Sequence, residues 1–169
     1  MALEDHLLTE ARNPLTTAID AAGALGIVAI MNDEDAKVVE AVRAEAANVA
    51  KAVEWTAERF RRGGRLIYVG AGTSGRLGVL DASECPPTFS TPPEMVVGLI
   101  AGGNAALTRS IEGAEDHAEV GAAEIAAMDV TDRDIVVGIA SSGRTPYVLG
   151  AVREAKARGA ATVGVACNR

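Results

Sequence analysis

Four short apolar runs rich in β-branched residues, each linked to the next by a turn and a helical stretch, constrain the fold more than any other feature. The runs occupy residues 66–69, 95–100, 134–139 and 162–165. Their apolar residues are continuous instead of alternating, which predicts strands covered on both faces, as in a parallel sheet. The intervening stretches predict helices at residues 75–80, 105–128 and 146–158. This alternation predicts an α/β fold with a doubly wound parallel sheet, whose ligands bind outside the carboxyl ends of the strands.

A long amphipathic helix is predicted before the first strand. Asn32 is placed to cap its N-terminus, and acidic residues at 33–35 lie in the first turn, where the helix dipole favours negative charge. Apolar residues at three- and four-residue spacing predict one buried stripe, formed by Val38, Val42, Ala46, Val49, Val53 and Phe60. The glycines at 63–64 end the helix. We therefore expect an N-terminal helical segment, residues 1–54, followed by an α/β domain, residues 55–169.

Composition narrows the classes of partner. The 169-residue chain has a net charge of −7 and only 3% aromatic residues, so it lacks both the basic excess and the stacking side chains that nucleic-acid binding uses. The two cysteines, Cys85 and Cys167, are far apart, and with two histidines they form neither a zinc ligand set nor a disulfide framework. The acidic N-terminus and the lack of a long apolar run predict a soluble, cytoplasmic protein that binds no membrane.

The turn after the first strand, residues 70–75, has the glycine spacing GxGxxG. Dinucleotide binding also requires an acid at the end of the second strand, and residues 100–103 contain none. A phosphate site fits better, because Thr73 and Ser74 place two hydroxyls beside the free N–H groups of a helix N-terminus.

A second turn of the same kind follows the third strand, at residues 140–145. Its Ser142 and Thr145 carry hydroxyls, so two turns from neighbouring strands predict one phosphate site. The alternative is that these serines and threonines only cap the helices that follow. Arg76 and Arg144 either balance a dianion or pair with surplus acids.

Three glutamates near these turns are candidate acid–base groups. Glu84 precedes two prolines at 86–87, which predict a rigid loop around it. Glu112 and Glu115 fall on the predicted helix after the second strand, where a solvated helix face is the alternative. Cys85 is predicted to be a small buried side chain instead of a nucleophile, since no histidine is near it in sequence.

Several motifs in series resemble the N-acetylmuramic acid 6-phosphate etherases, a family with a sugar-isomerase (SIS) domain. The motifs occupy residues 70–76, 80–88, 98–103, 112–116 and 140–147. The resemblance covers nearly the whole chain and implies a SIS-type, flavodoxin-like three-layer fold, a homodimer, a small-molecule sugar-phosphate substrate and no metal or organic cofactor. The family converts N-acetylmuramic acid 6-phosphate and water to N-acetylglucosamine 6-phosphate and D-lactate by elimination and hydration, in the recycling of cell-wall sugar.

The resemblance also implies roles for particular residues. Glu84 matches the catalytic residue that protonates the leaving lactate and later deprotonates water, and Glu115 matches the second acid–base residue, with removal of the C2 proton as its step. The resemblance assigns Glu84 and Glu115 as the two acid–base residues more firmly than it assigns which of them performs which step. The residues matched to phosphate binding are Thr73, Ser74, Gly75, Ser142, Gly143 and Thr145.

Family members are nearly twice as long as this chain. The resemblance therefore implies that a fifth strand and a C-terminal helical region are missing, and we expect weak or no etherase activity from the isolated chain. The face of the last strand is then covered either by a partner subunit or by further chain. Two other interpretations are another SIS-domain sugar-phosphate isomerase and a non-catalytic sugar-phosphate sensor.

Overall fold

A computed structural model describes residues 7–168 of the chain. The chain divides into two compact units, Met1–Val53 and Glu54–Arg169. In the described part of the chain, no helix is both long enough and apolar enough to cross a membrane.

Two long helices dominate the N-terminal part of the chain. Helix α1 spans Ala24–Ala44 and helix α2 spans Ala46–Arg61. They are separated by Glu45, whose backbone N–H donates to the carbonyl of Val42, three residues back instead of four. Two short 3-10 helices precede them, at Pro14–Thr16 and Ile19–Ala21.

The prediction of one helix beginning at Asn32 with a buried stripe is wrong. Helix α1 begins earlier, with Gly23 at its N-cap position, so Asn32 lies in the helix interior. The valines of the stripe are exposed, namely Val38, Val42, Val49 and Val53. The spacing identified a helical apolar face, but spacing alone does not reveal what covers that face. The predicted end is confirmed, because Gly63 has a φ of +73° and its N–H donates to the carbonyl of Phe60.

A four-stranded parallel sheet forms the centre of the second unit. Its strands are β1 (Leu66–Gly70), β2 (Val96–Ile100), β3 (Ile135–Ile139) and β4 (Ala161–Val165). They lie in the order β2-β1-β3-β4, and each neighbouring pair is parallel. The predicted doubly wound α/β class is confirmed, and each predicted strand is correct to within one residue at either end.

Helices cover both faces of this sheet. Helix α3 (Gly72–Phe89) packs on one face, and helices α4 (Ala118–Ala127) and α5 (Pro146–Ala157) pack on the other. The main buried core lies on the side of α4 and α5, and its largest members are Ile67, Val69, Ile125, Val136 and Tyr147. Strand β4 forms one edge of the sheet, and its Val165 is 51% exposed.

Two predicted connections differ from the structure. Helix α3 continues through Pro86 and Pro87 to Phe89, so the predicted rigid loop around Glu84 is wrong. Proline removes one hydrogen bond to the preceding turn, and here both losses fall in the last turn of an otherwise continuous helix. The predicted helix at 105–128 is correct only in its last part, where α4 forms. That stretch holds two short 3-10 helices, Gly103–Leu107 and Ala114–Asp116, before α4.

Candidate functional site

The carboxyl ends of β1 and β3 lie side by side in the middle of the sheet. Gly70, the last residue of β1, pairs with Ile139, the last residue of β3. Strand β2 lies beyond β1 and β4 lies beyond β3, so the winding of the chain reverses between β1 and β3. Doubly wound sheets bind ligands at such a switch point. The two hydroxyl-bearing turns therefore border the same crevice.

The first turn brings the start of α3 close to the end of β1. A β-carbon on Gly75 would lie 2.7 Å from the carbonyl oxygen of Gly70, so a larger residue would force the helix away from the strand. Thr73 and Ser74 occupy the first turn of α3, where backbone N–H groups lack acceptors within the helix. No residue in the described range 7–168 forms a hydrogen bond with the hydroxyl of Thr73 or Ser74. The N-cap residue of α3 is Ala71.

The second turn is held from within and by the segment after β4. Gly143 has a φ of +73°, and the N–H of Arg144 donates to Ser142 Oγ at 3.2 Å. The side-chain amide of Asn168 donates to the carbonyl of Ser142 at 3.2 Å. Thr145 is the N-cap residue of α5, yet its side chain makes no capping hydrogen bond. The hydroxyls of Thr73, Ser74 and Thr145 thus do not serve as helix caps, which favours the phosphate interpretation over the capping one.

Glu115 lies in a segment that packs against α5. This segment is the 3-10 helix Ala114–Asp116. The first residue of that short helix contacts the core cluster that includes Tyr147, the second residue of α5. The side chain of Glu115 is exposed, whereas Glu112 lies in the preceding loop and accepts a hydrogen bond from Ser110 Oγ at 2.8 Å.

Glu84 lies away from both turns within one chain. It follows Ser74 by ten residues in α3, a rise of about 15 Å along the helix axis. Its exposed side chain shares one face of α3 with Thr73, Leu77 and Leu80, and the two leucines are 55% and 57% exposed. A single chain therefore does not bring Glu84 beside Ser74, and the predicted pairing of the two glutamates stays a prediction.

Arg76 has a partner that the sequence did not reveal. Its Nε donates to the carbonyl of Leu107 at 3.2 Å and its Nη2 to the carbonyl of Arg109 at 3.3 Å. It therefore binds the backbone between β2 and α4 instead of surplus acids. A shallow groove of about 390 Å³ beside α3 is lined by Thr73, Arg76, Leu77, Val79, Leu80, Ser83 and Leu107.

The pKa of the partly exposed Cys85 thiol does not favour nucleophilic attack. Burial, together with the nearby Asp81 carboxylate, raises its pKa, whereas reactive cysteines have lowered pKa values. Burial, followed by the nearby carboxylate of Asp81, raises the pKa of Tyr68. Within residues 7–168, no cluster of three or more histidine, cysteine, aspartate or glutamate side chains is placed to hold a metal ion.

Comparison with known proteins places this geometry in a family. The family model for the glucokinase regulatory protein N-terminal SIS domain matches residues 48–156. This chain belongs to that SIS-domain family. The fold agrees with a phosphoheptose isomerase from Francisella tularensis, with a TM-score of 0.66 at 22% identity, over 89% of this chain and 75% of the isomerase.

Curated relatives of this SIS domain share much more of its sequence. An N-acetylmuramic acid 6-phosphate etherase from Rhodopirellula baltica is 58% identical over 164 residues, which are 97% of this chain and 54% of the relative. One from Nostoc sp. is 58% identical over 162 residues, 96% of this chain and 53% of the relative. The resemblance found in the motifs is therefore confirmed, and the SIS domain described here spans about half the length of the curated relatives that it matches.

Proposed function

We propose that this SIS domain belongs to an enzyme that cleaves the lactyl ether of N-acetylmuramic acid 6-phosphate, a carbon–oxygen lyase of the cytoplasm. The observation that carries the proposal is the pair of turns at the β1/β3 switch point, whose Thr73, Ser74 and Thr145 hydroxyls are not used as helix caps. Two helix N-termini point into the same crevice, where their dipoles favour a dianion. Binding the remote phosphate orients the sugar, so that binding energy lowers the barrier at C2 and C3.

The elimination step needs a base and an acid. The C1 carbonyl of the open-chain sugar acidifies the C2 hydrogen, and the carboxylate of Glu115 removes that proton while the C3–O bond breaks. The lactate oxygen is a poor leaving group unless it is protonated, and the carboxyl group of Glu84 supplies the proton. In the hydration step water adds at C3 and gives a proton to Glu84, while Glu115 returns a proton to C2. Each such proton transfer accelerates the reaction by a factor of about 10²–10⁴.

We propose that a second copy of the chain supplies Glu84, within a homodimer. The α3 face formed by Thr73, Leu77, Leu80 and Glu84 supports this arrangement, because its two central leucines are exposed. Two such helices packed antiparallel, centred between the leucines, place Glu84 of one copy opposite Thr73 of the other, each about 8 Å from the centre. Glu84 of one copy then lies near the phosphate turn of the other copy, although it is about 15 Å from Ser74 of its own chain.

Lactate release from N-acetylmuramic acid 6-phosphate by the purified chain tests the proposal. We expect slow release, because the relatives are nearly twice as long, and we expect Glu84→Gln to abolish it while binding of N-acetylglucosamine 6-phosphate persists. A sugar-phosphate isomerase would instead convert an aldose phosphate to a ketose without releasing lactate. A sensor would bind without turnover, and Glu84→Gln would leave its binding unchanged. Absence of both lactate release and sugar-phosphate binding would refute the proposal.

A further inference from the structure

The same three residues, serine, glycine and arginine, occur in both hydroxyl-bearing turns but adopt different conformations. Residues 74–76 lie inside α3, whereas residues 142–144 precede α5 and contain Gly143 at a φ of +73°. Arg76 is half-buried and Arg144 is exposed. The two arginines are equivalent in sequence, yet the fold gives them different surroundings.

The guanidinium of Arg76 is committed to two backbone carbonyls. It donates to Leu107 at 3.2 Å and to Arg109 at 3.3 Å. Leu107 is the last residue of its 3-10 helix, whose terminal carbonyls lack partners within the helix. Arg76 therefore holds this connection to the first turn of α3, directly after Gly75.

The connection that Arg76 holds, residues 101–117, contains little regular structure of its own. Gly102, Gly103 and Gly113 all have positive φ values, of +84°, +64° and +71°. The segment is also anchored by packing of the 3-10 helix Gly103–Leu107 against β2 and α3, and of the 3-10 helix Ala114–Asp116 against α5. Residues 108–113 form the loop between these two short helices, and such a loop depends on its anchors for a fixed position.

We propose that Arg76 is a positioning residue, which fixes residues 108–117, and with them Glu115, relative to the turn that holds the substrate phosphate. This inference rests on the proposed function. Arg76 follows the phosphate turn directly and bonds to the segment that carries the base, so occupancy of the turn and placement of Glu115 are coupled through one side chain. Arg144, on the other turn, makes no equivalent hydrogen bond among the described residues.

Hydrogen exchange measured by mass spectrometry tests the role of Arg76 in the whole chain. We expect Arg76→Gln to speed exchange of residues 108–117 by about tenfold while exchange in β1 and β3 stays as in the parent. Arg76→Lys restores part of the protection, because an ammonium group can bond one of the two carbonyls. Arg144→Gln is the matched control and leaves exchange of residues 108–117 unchanged.

The ligand arm uses N-acetylglucosamine 6-phosphate as the probe. It is expected to slow exchange of residues 108–117 in the parent chain and not in Arg76→Gln, although both bind the probe with affinities within about threefold. The inference is overturned if Arg76→Gln leaves exchange of 108–117 unchanged, speeds exchange equally throughout the chain, or keeps the protection by the probe. If the parent chain does not bind the probe, the proposed function fails, while the comparison without probe still decides whether Arg76 fixes the segment.

Discussion

The carboxylate of Asp134 accepts a bidentate pair of hydrogen bonds from the guanidinium of Arg65, both at 3.0 Å. It also accepts from the backbone N–H groups of Arg65 and Thr131, each at 2.9 Å. Asp134 is 3% exposed and precedes β3, while Arg65 precedes β1. The pair joins the amino ends of the two strands whose carboxyl ends border the candidate site.

Replacing Asp134 by Asn is expected to lower the free energy of unfolding by about 3 kcal/mol, because it leaves the arginine with an uncompensated charge and presents an amide to donors. The value falls at the lower end of the range for buried pairs, since the Arg65 side chain is 26% exposed. Urea unfolding measures the change. Asp132→Asn is the control, because Asp132 is exposed and pairs with Arg62 at the surface, where the loss is below about 1 kcal/mol.

The pairing of Asp134 with Arg65 makes the stability of the fold depend on pH in the acid range. Burial would raise the pKa of Asp134, but the hydrogen bonds from Arg65 and Thr131 outweigh burial and lower it. The carboxylate in the unfolded chain takes up a proton near pH 3.9 and the folded one only at lower pH, so the stabilisation is present above about pH 4 and is lost as the pH falls further. Between pH 6 and pH 2, the free energy of unfolding should decline more steeply for the parent than for Asp134→Asn, as measured by unfolding curves. Parallel curves would contradict this assignment.

Both tyrosines of the chain should stay protonated in the folded state at alkaline pH. Burial is the main cause that raises the pKa of Tyr68 and Tyr147. The nearby Asp81 carboxylate adds to it for Tyr68, and the hydrogen bond donated to Glu124 adds to it for Tyr147. An unfolded chain releases these protons near pH 10, so stability is complete below that pH and falls above it. Absorbance at 295 nm should rise in one cooperative step together with the loss of circular dichroism. A gradual rise of the absorbance near pH 10 while the fold stays intact would show that the tyrosines lose their protons in the folded state, which would contradict this prediction.

Close packing of α4 against α5 depends on glycines at their contact. A β-carbon on Gly150 would lie 1.9 Å from the carbonyl oxygen of Ala118, and one on Gly121 would lie 2.1 Å from that of Tyr147. Gly150→Ala should therefore force the helices apart and cost about 2–3 kcal/mol in thermal or urea unfolding. Gly164→Ala is the control, because no atom lies within 4 Å of its β-carbon position in β4. Equal stability of the two variants would contradict the packing argument.

A shared site makes a specific prediction for mixed dimers. Glu84→Gln alone should abolish lactate release, and Ser74→Ala alone should lower it by about tenfold or more at limiting substrate concentration. One site of a mixed dimer nevertheless has both native residues if Glu84 acts across the interface. A 1:1 mixture should regain about a quarter of the parent activity, since half of randomly formed dimers are mixed and each has one intact site. No recovery in a mixture shown to exchange subunits would mean that Glu84 serves its own chain.

The sheet could be predicted from sequence because its signal is local. Continuous β-branched runs define each strand to within a residue, and a glycine-rich turn after β1 marks the candidate site. The winding rules for parallel strands then place the turns after β1 and β3 in one crevice. The glycine pair that ends α2 is equally local, because a left-handed residue closes the last turn.

The remaining features depend on contacts that local patterns do not encode. The prolines at 86–87 lie in the last turn of a helix that packs along β1 and β2, and the helix continues through them despite two missing hydrogen bonds. Residues 105–128 have helical composition, but Gly113 adopts a positive φ and Arg76 binds the backbone carbonyls of Leu107 and Arg109. The stripe on α1 and α2 has the right period, yet its four valines are exposed in the described part of the chain.

The central claim is that two hydroxyl-bearing turns bind one phosphoryl group, and calorimetric titration with N-acetylglucosamine 6-phosphate tests it most directly. Ser74→Ala and Ser142→Ala should each weaken binding by about tenfold or more, because each removes a hydrogen bond to a charged group. Ser83→Ala should bind as the parent does, since that hydroxyl donates to the carbonyl of Leu80 further along α3. Parent-like affinity in the Ser74→Ala, Ser142→Ala double variant would contradict the account.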